Sequence, residues 1–339
     1  MLLAIFGAGA SYDSAVLWPP SDHDLPPWVS LSNRNPSLVE RGRPPLTDQL
    51  FDHSALLVPA ATAAVEWVRM NRKGRSVEET LRELQEATAG SPIMQRKLLA
   101  LRYYLHSVIT LVEQEWTKRE PTNYDAFLAL AEGGRFDRIH LLTFNYDTFL
   151  DASLARHLST QLAPNAFQHQ HCSLIHCHGS LNWAYEVLSP LGDLVGKAAN
   201  EVCDRIVSAE QLELGPLTML SSNANPPNGF GKLLVPAIAI PVEPKSDFVC
   251  PREHIDAIAG DLSRITKVAI VGWKGSEESV RQLLLGLPTS VRGLVVSGSE
   301  EESNRIITDL KLPGTFVAAT GGFTRSLYLT NEIQRFVES

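Results

Sequence analysis

Three short segments carry the residues best suited to chemistry. Leu141-Leu142-Thr143-Phe144-Asn145-Tyr146-Asp147 runs from apolar residues into an amide and a carboxylate. Such a strand delivers Asn145 and Asp147 together to its carboxyl end, where open α/β sheets bind ligand. Asn145 offers donors and acceptors, and an amide placed directly after a buried strand needs partners, which a carboxamide, a ribose or water can supply. Asp147 reads either as a cap for the following helix or as a group that orients a neighbour.

Phe6-Gly7-Ala8-Gly9-Ala10-Ser11 also follows an apolar run. Its small residues allow a tight turn whose amides can reach a pyrophosphate. It is not the full dinucleotide fingerprint, because Tyr12 stands where the third glycine of GxGxxG belongs. An ordinary strand-to-helix turn is the other reading. The third segment is His176-Cys177-His178-Gly179-Ser180. Strand alternation from Ser173 puts Leu174, His176 and His178 on one face and Ile175 and Cys177 on the other. His178, at the strand end before Gly179, is best placed to act as a base on a ribose hydroxyl, the alternative being a hydrogen-bonded core histidine. Together the segments point to a sheet edge that holds and cleaves a dinucleotide.

Two weaker signals lie nearby. His169, His171, Cys172, His176, Cys177 and His178 are all possible zinc ligands, but the spacing matches no standard site and a strand sends adjacent ligands to opposite faces. No metal is expected. Val271-Gly272-Trp273-Lys274-Gly275-Ser276 follows another strand and opens a helix, so its amides can line the adenosine side of the same crevice.

The elements that must position these residues alternate between strand and helix. Strands are expected at Leu2 to Phe6, Ile139 to Phe144, Ser173 to Cys177, Lys267 to Val271, Gly293 to Ser297 and Thr315 to Ala319. A helix from about Asp147 to His157 makes the second and third of these a βαβ crossover, and Arg325 to Val337 reads as a closing helix. Between Trp18 and Pro45 proline, serine and aspartate are dense, as in a long irregular loop. Leu46 to Lys118 turns helical, with Leu98, Leu101, Leu105, Val108, Ile109 and Val112 at three- and four-residue intervals, and Met94 to Glu115 reads as a core helix. Leu181 to Lys197 reads as a hairpin around Pro190-Leu191-Gly192-Asp193, and Ser221 to Gly231 as a flexible loop. Glu300 to Glu302 is an acidic first helical turn.

Composition narrows the field. With 339 residues, 44% of them hydrophobic, the chain can bury a substantial core. A formal charge of -8 and a pI near 5.7 oppose unassisted nucleic-acid binding, which rests on phosphate neutralisation. No apolar run reaches the roughly 20 residues that cross a bilayer. Met1 leads straight into a strand without the basic and cleavage regions of a signal peptide, and the four cysteines include no CxxC pair. A cytoplasmic protein without membrane contact is expected.

The three segments, in this order and on these elements, resemble the sirtuin family, above all its bacterial defence-associated branch of NAD hydrolases. In that family a GAG-x-S turn binds NAD, a T-x-N-x-D strand end positions the nicotinamide ribose, and the histidine of an HG pair is the base. The resemblance therefore implies NAD binding by Gly7, Ala8, Gly9, Ser11, Thr143 and Asp147, catalysis by Asn145 and His178, and a looser adenosine contact at Gly272 and Ser276. It implies one Rossmann-like α/β domain over 1–339, a parallel sheet with helices on both faces, carrying a helical insert at 46–120 and a hairpin and loop insert at 181–232.

The resemblance further implies an NAD glycohydrolase that releases nicotinamide and ADP-ribose, with NAD as substrate and no metal. An NAD-depleting role in antiphage defence would follow, restrained by homo-oligomerisation or by a separate partner such as an ATPase or Argonaute-type protein. Two departures speak against protein deacylation: the paired CxxC zinc module of deacetylase sirtuins is missing, and Phe144 replaces the glutamine usual in deacylases. A non-enzymatic sensor of NAD or ADP-ribose that controls assembly, and an NAD-dependent deacylase, are the alternatives.

Overall fold

The computed structural model describes residues 1–14, 59–75, 77–87, 91–116, 122–134, 136–192, 194, 197–220, 226–229, 232–240 and 248–339. The expected loop from Trp18 to Pro45 lies outside them. In chain order the strands are β1 (Leu2–Phe6), β2 (Ile139–Thr143), β3 (Gln168–His169), β4 (Cys172–His176), β5 (Gly179–Val187), β6 (Leu214–Met219), β7 (Asn228–Gly229), β8 (Lys232–Ile238), β9 (Lys267–Val271), β10 (Arg292–Val296) and β11 (Thr315–Ala318).

Contacts divide the chain into two compact units. The first takes the described residues of 1–30, 115–178 and 246–339. Its seven-stranded sheet has the order β11-β10-β9-β1-β2-β4-β3, with every pairing parallel except the short β3 against β4. Counting the parallel strands alone along the chain, the spatial order is 3-2-1-4-5-6, the Rossmann-like arrangement. The strands are near-continuous apolar runs: every residue of β1, β2 and β4 is buried, as it must be where helices cover both faces. The sheet reverses its direction of growth at β1, between β2 and β9, so the turns after β1 and β9 flank the switch point where such folds bind ligand.

Helices join these strands. Phe149–Leu158 links β2 to the β3–β4 pair, and Glu300–Leu310 links β10 to β11. The acidic turn at Glu300 to Glu302 is as expected, with Ser299 Oγ accepting from the Glu302 N–H at 3.2 Å as a cap. The closing helix is not continuous. Phe323–Tyr328 and Glu332–Glu338 are separate helices, because Asn331 takes a left-handed backbone conformation, φ 51°, that asparagine tolerates and a helix interior does not.

The second unit takes the described residues of 31–114 and 179–245, so the two segments read from sequence as separate inserts cluster together. It holds an antiparallel sheet of order β6-β5-β8-β7 and the helices Pro59–Asn71, Val77–Glu86 and most of Pro92–Trp116. The last is a core helix: Leu101, Tyr104, Leu105 and Val108 are buried, the Tyr103 hydroxyl donates to the Leu234 carbonyl at 2.6 Å, and His106 Nε2 lies 2.9 Å from the Leu181 carbonyl.

Two expectations fail here. The hairpin expected around Pro190 is replaced by pairing of β5 with β6 and β8, and the amphipathic helix Ala199–Ser208, with Val202, Cys203, Ile206 and Val207 buried, comes between β5 and β6. The 3.6-residue period of that helix outweighs the hairpin signal of the turn residues. Within the Ser221 to Gly231 loop, Asn228 and Gly229 pair with Leu233 and Lys232 as a strand.

Candidate functional site

Four neighbouring strands of the first unit end at one level. Phe6 lies opposite Thr143 on one side and Val271 on the other, and Thr143 opposite His176. The ladder runs one step further, with the Phe144 N–H donating to the Phe6 carbonyl at 2.9 Å, Gly7 to Val271 at 2.9 Å and Cys177 to Thr143 at 3.0 Å. This register carries Gly7, Asn145, His178 and Gly272 to the same edge.

Asn145 is buried and its amide nitrogen is held from three sides. Nδ2 donates to the Gly7 carbonyl at 3.0 Å, to Ser11 Oγ at 2.8 Å and towards the Tyr124 hydroxyl at 3.2 Å. Gly7 fixes which way the amide points, because a carbonyl oxygen can only accept. Asn145 Oδ1 is consequently turned away and, among the described residues, is a buried acceptor with no hydrogen-bond partner. Leaving such an atom unpaired costs about 1–3 kcal/mol. A donor from a ligand or water would recover that cost.

The surrounding hydroxyls form a directed chain. Ser11 Oγ lies 2.8 Å from the Tyr124 hydroxyl and also bonds Asp147. One consistent assignment has Tyr124 and Asn145 donating to Ser11 while Ser11 donates to Asp147, which fills both acceptor sites and the single proton of the serine. Burial, with the nearby Asp147 carboxylate, pushes the Tyr124 phenol well above its ordinary range, so it stays protonated. Burial likewise raises the Asp147 carboxyl to about 6, the adjacent Asp151 adding to the rise while Ser11 and the Phe149 amide oppose it. Asp147 Oδ1 accepts from the Phe149 N–H at 3.3 Å from one residue before the helix cap, which is Thr148 and not Asp147. Thr143 Oγ1 accepts from the Asn145 N–H at 3.1 Å, so this buried hydroxyl shapes the turn that presents Asn145.

The glycine turn does something the sequence did not reveal. The Gly7, Gly9 and Ala10 amides donate to Val271, Gly272 and Gly7 carbonyls at 2.9, 3.3 and 2.9 Å. These three donors, expected to face a pyrophosphate, are engaged within the fold. A Cβ on Gly7 would meet the Gly272 carbonyl oxygen at 2.4 Å, so here the absence of a side chain serves the meeting of two turns. Ala8 is exposed, and Gly272 has φ 64°, open to glycine at no steric cost.

His178 is buried among aromatic rings: Phe144 lies 5.1 Å away by ring centroid and Tyr146 6.1 Å, and Phe144 in turn stacks on Trp273 at 5.2 Å. Its Nε2 faces Glu277 Oε1 at 3.6 Å. His176, the last residue of β4, pairs with Asp151 at 3.0 Å. Burial pulls His176 towards the neutral form, but the Asp151 carboxylate outweighs it and the net shift is upward. Burial drives the Cys177 thiol well up, with Cys250 as its hydrogen-bond partner. His176, Cys177 and His178 of the candidate metal cluster thus have separate partners, and no group of three or more such side chains among the described residues is arranged to hold an ion.

The structure thus joins Gly7, Ser11, Asn145 and Asp147 directly, sets Thr143 beneath Asn145, and brings Gly272 against the glycine turn. Ser276 sits apart from this cluster, donating to Glu277 Oε2 at 3.0 Å. Sequence reasoning missed Tyr124 and Glu277. Tyr124 bonds residues 113 and 21 positions away, which no local pattern encodes. Glu277 is buried and Glu278 exposed, yet as adjacent glutamates before a helix they look alike. No protein-family model matches the chain, and no curated protein does.

Proposed function

We propose that the chain hydrolyses the bond between nicotinamide and ribose in NAD. The observation that carries this reading is the buried, unpartnered Asn145 Oδ1, presented at the end of β2 because the acceptors around Nδ2, the Gly7 carbonyl above all, admit only one orientation of the amide. Little more than positioning is required of a protein for this reaction. An acceptor fixed in advance can orient a ribose hydroxyl or the attacking water without reorganising in the transition state, and an imidazole at the neighbouring strand end can remove a proton. The Rossmann-like strand order supports the choice of a dinucleotide, since such sheets take ligands at the carboxyl ends of the strands beside the switch point.

The same incubation separates this reading from its alternatives. Purified chain with NAD alone should release nicotinamide and ADP-ribose, and Asn145→Ala should lower the rate by about a hundredfold or more. Release only in the presence of an acylated peptide would make it a deacylase, and binding of NAD without release would make it a sensor. As a component of antiphage defence such an enzyme needs restraint, for which we propose self-assembly or a separate ATPase or Argonaute-type activator. Size-exclusion chromatography with and without such partners tests this, and a monomer throughout would contradict it.

A further inference from the structure

We propose that Glu277 is the positioning carboxylate of His178: it orients the imidazole and stabilises the imidazolium that forms when His178 takes a proton. The proposal rests on the reading of the chain as an NAD hydrolase with His178 as base. Glu277 is 1% exposed, and a carboxylate so deeply buried is costly unless it is hydrogen-bonded and faces positive charge. Its Oε2 accepts from the Trp273 indole N–H and from the Ser276 hydroxyl, both neutral donors. Its Oε1 faces His178 Nε2 at 3.6 Å, an ion-pair separation longer than a hydrogen bond, of the kind that tightens when substrate binds.

The surrounding packing makes one unit of the pair. Trp273 donates to Glu277 and stacks on Phe144, and Phe144 packs against the His178 ring while immediately preceding Asn145. Among the described residues, Glu277 from the turn after β9 and Tyr146 from the end of β2 are titratable groups that face His178. Lys274, in the same turn as Glu277, is exposed and pairs with Glu302 at 3.9 Å.

In the reaction, the glycosidic C–N bond breaks with its electron pair leaving on nicotinamide, which discharges the pyridinium. Water oxygen bonds to the ribose carbon, and the proton it loses passes to His178. The Glu277 carboxylate then faces the charge on the ring until the proton leaves to solvent. A carboxylate in this place favours the proton on Nε2.

The test uses the full chain, wild type against Glu277→Gln and Glu277→Asp. With NAD, Glu277→Gln should lose about a hundredfold in kcat with KM within about twofold, since the group acts through the base and not on bound substrate. The acidic limb of its rate profile should move to lower pH, and Glu277→Asp, which keeps the charge, should recover part of the rate. Without NAD, nitrogen NMR of the imidazole should show the His178 proton on Nε2 in wild type and shared between both nitrogens in Glu277→Gln. Wild-type kcat and pH profile in Glu277→Gln, or a wild-type His178 carrying its proton on Nδ1, would overturn the proposal. Should wild type release no nicotinamide at all, the hydrolase reading fails, and the NMR comparison still decides the pairing. The wild-type spectrum alone decides it if Glu277→Gln does not fold.

Discussion

Gly7 and Gly272 meet backbone to backbone: a Cβ on Gly7 would lie 2.4 Å from the Gly272 carbonyl oxygen, and one on Gly272 would lie 2.4 Å from the Ala10 nitrogen. The turns that end β1 and β9 are thereby locked at the switch point of the sheet. Gly272→Ala should cost about 1–3 kcal/mol in urea denaturation, because the obstructing atoms are backbone and the φ of 64° disfavours any side chain. Gly260→Ala is the control. Gly260 lies in the helix Arg252–Asp261 with open space around it, so alanine there should stabilise by roughly 0.5–1 kcal/mol. Equal effects at the two positions would refute the close-approach account.

Tyr124→Phe isolates the hydroxyl that sequence did not reveal. The ring sits edge-on to Phe6 at 5.2 Å and to Phe323 at 5.8 Å, so phenylalanine keeps the packing and loses only the bonds to Ser11 and Asn145. Stability should fall by about 1 kcal/mol. Nicotinamide release should fall by about threefold to tenfold, because Gly7 and Ser11 still hold the Asn145 amide while one restraint is gone. A rate equal to wild type would show that Tyr124 does not help position Asn145.

The parallel strands were legible in the sequence because each is a short apolar run bounded by glycine or polar residues. Their observed ends differ from the expected ones by a residue or none: Lys267–Val271 is as read, and Ile139–Thr143 stops one residue before Phe144. Local pattern suffices for β1, β2 and β4, since burial on both faces leaves no other place for such residues. It fails where long-range pairing decides. Both partners of β5 lie beyond a helix, and the role of the glycine turn depends on Gly272, which follows it by more than two hundred and fifty residues. Asn145 was readable because its type and its position after a strand both matter, whereas the burial of Glu277 over Glu278 arises only in the folded chain.

Two buried histidines should respond to pH in opposite senses. His140 lies between Ser173 Oγ at 2.7 Å and Asp261 at 3.1 Å, and burial lowers its affinity for protons despite the carboxylate. Below the unfolded histidine value of about 6.5 the unfolded chain then binds more protons, so this group's contribution to stability falls on acidification. His176 is shifted upward beside Asp151, so its contribution is present below about 6.5 and is lost as pH rises through its folded value. Replacing His140 by Gln should therefore flatten the loss of stability between pH 6.5 and 5, to about the sensitivity of one protonation. Asp151→Asn should remove the gain at His176 and steepen the loss. Urea midpoints across that range check both, and parallel responses would contradict the opposed shifts.

Asp147 supplies the last test, because its carboxyl is raised to about 6 from an ordinary 3.8. Between these values the folded chain holds a proton that the unfolded chain has lost. Stability from this group is thus full below the unfolded value and declines as pH rises through the folded one, leaving a deficit at neutral pH. Asp147→Asn removes the charge and keeps an oxygen for the Phe149 amide, so it should be more stable than wild type at pH 7.5 by more than at pH 4. The same variant should lose nicotinamide release, because with its oxygen on the Phe149 amide the new side-chain nitrogen would donate towards Ser11 where a carboxylate oxygen accepted, and the Ser11–Asn145 network loses its direction. A variant that is both as active as wild type and no more stable at pH 7.5 would show that Asp147 is neither strained by burial nor part of the site.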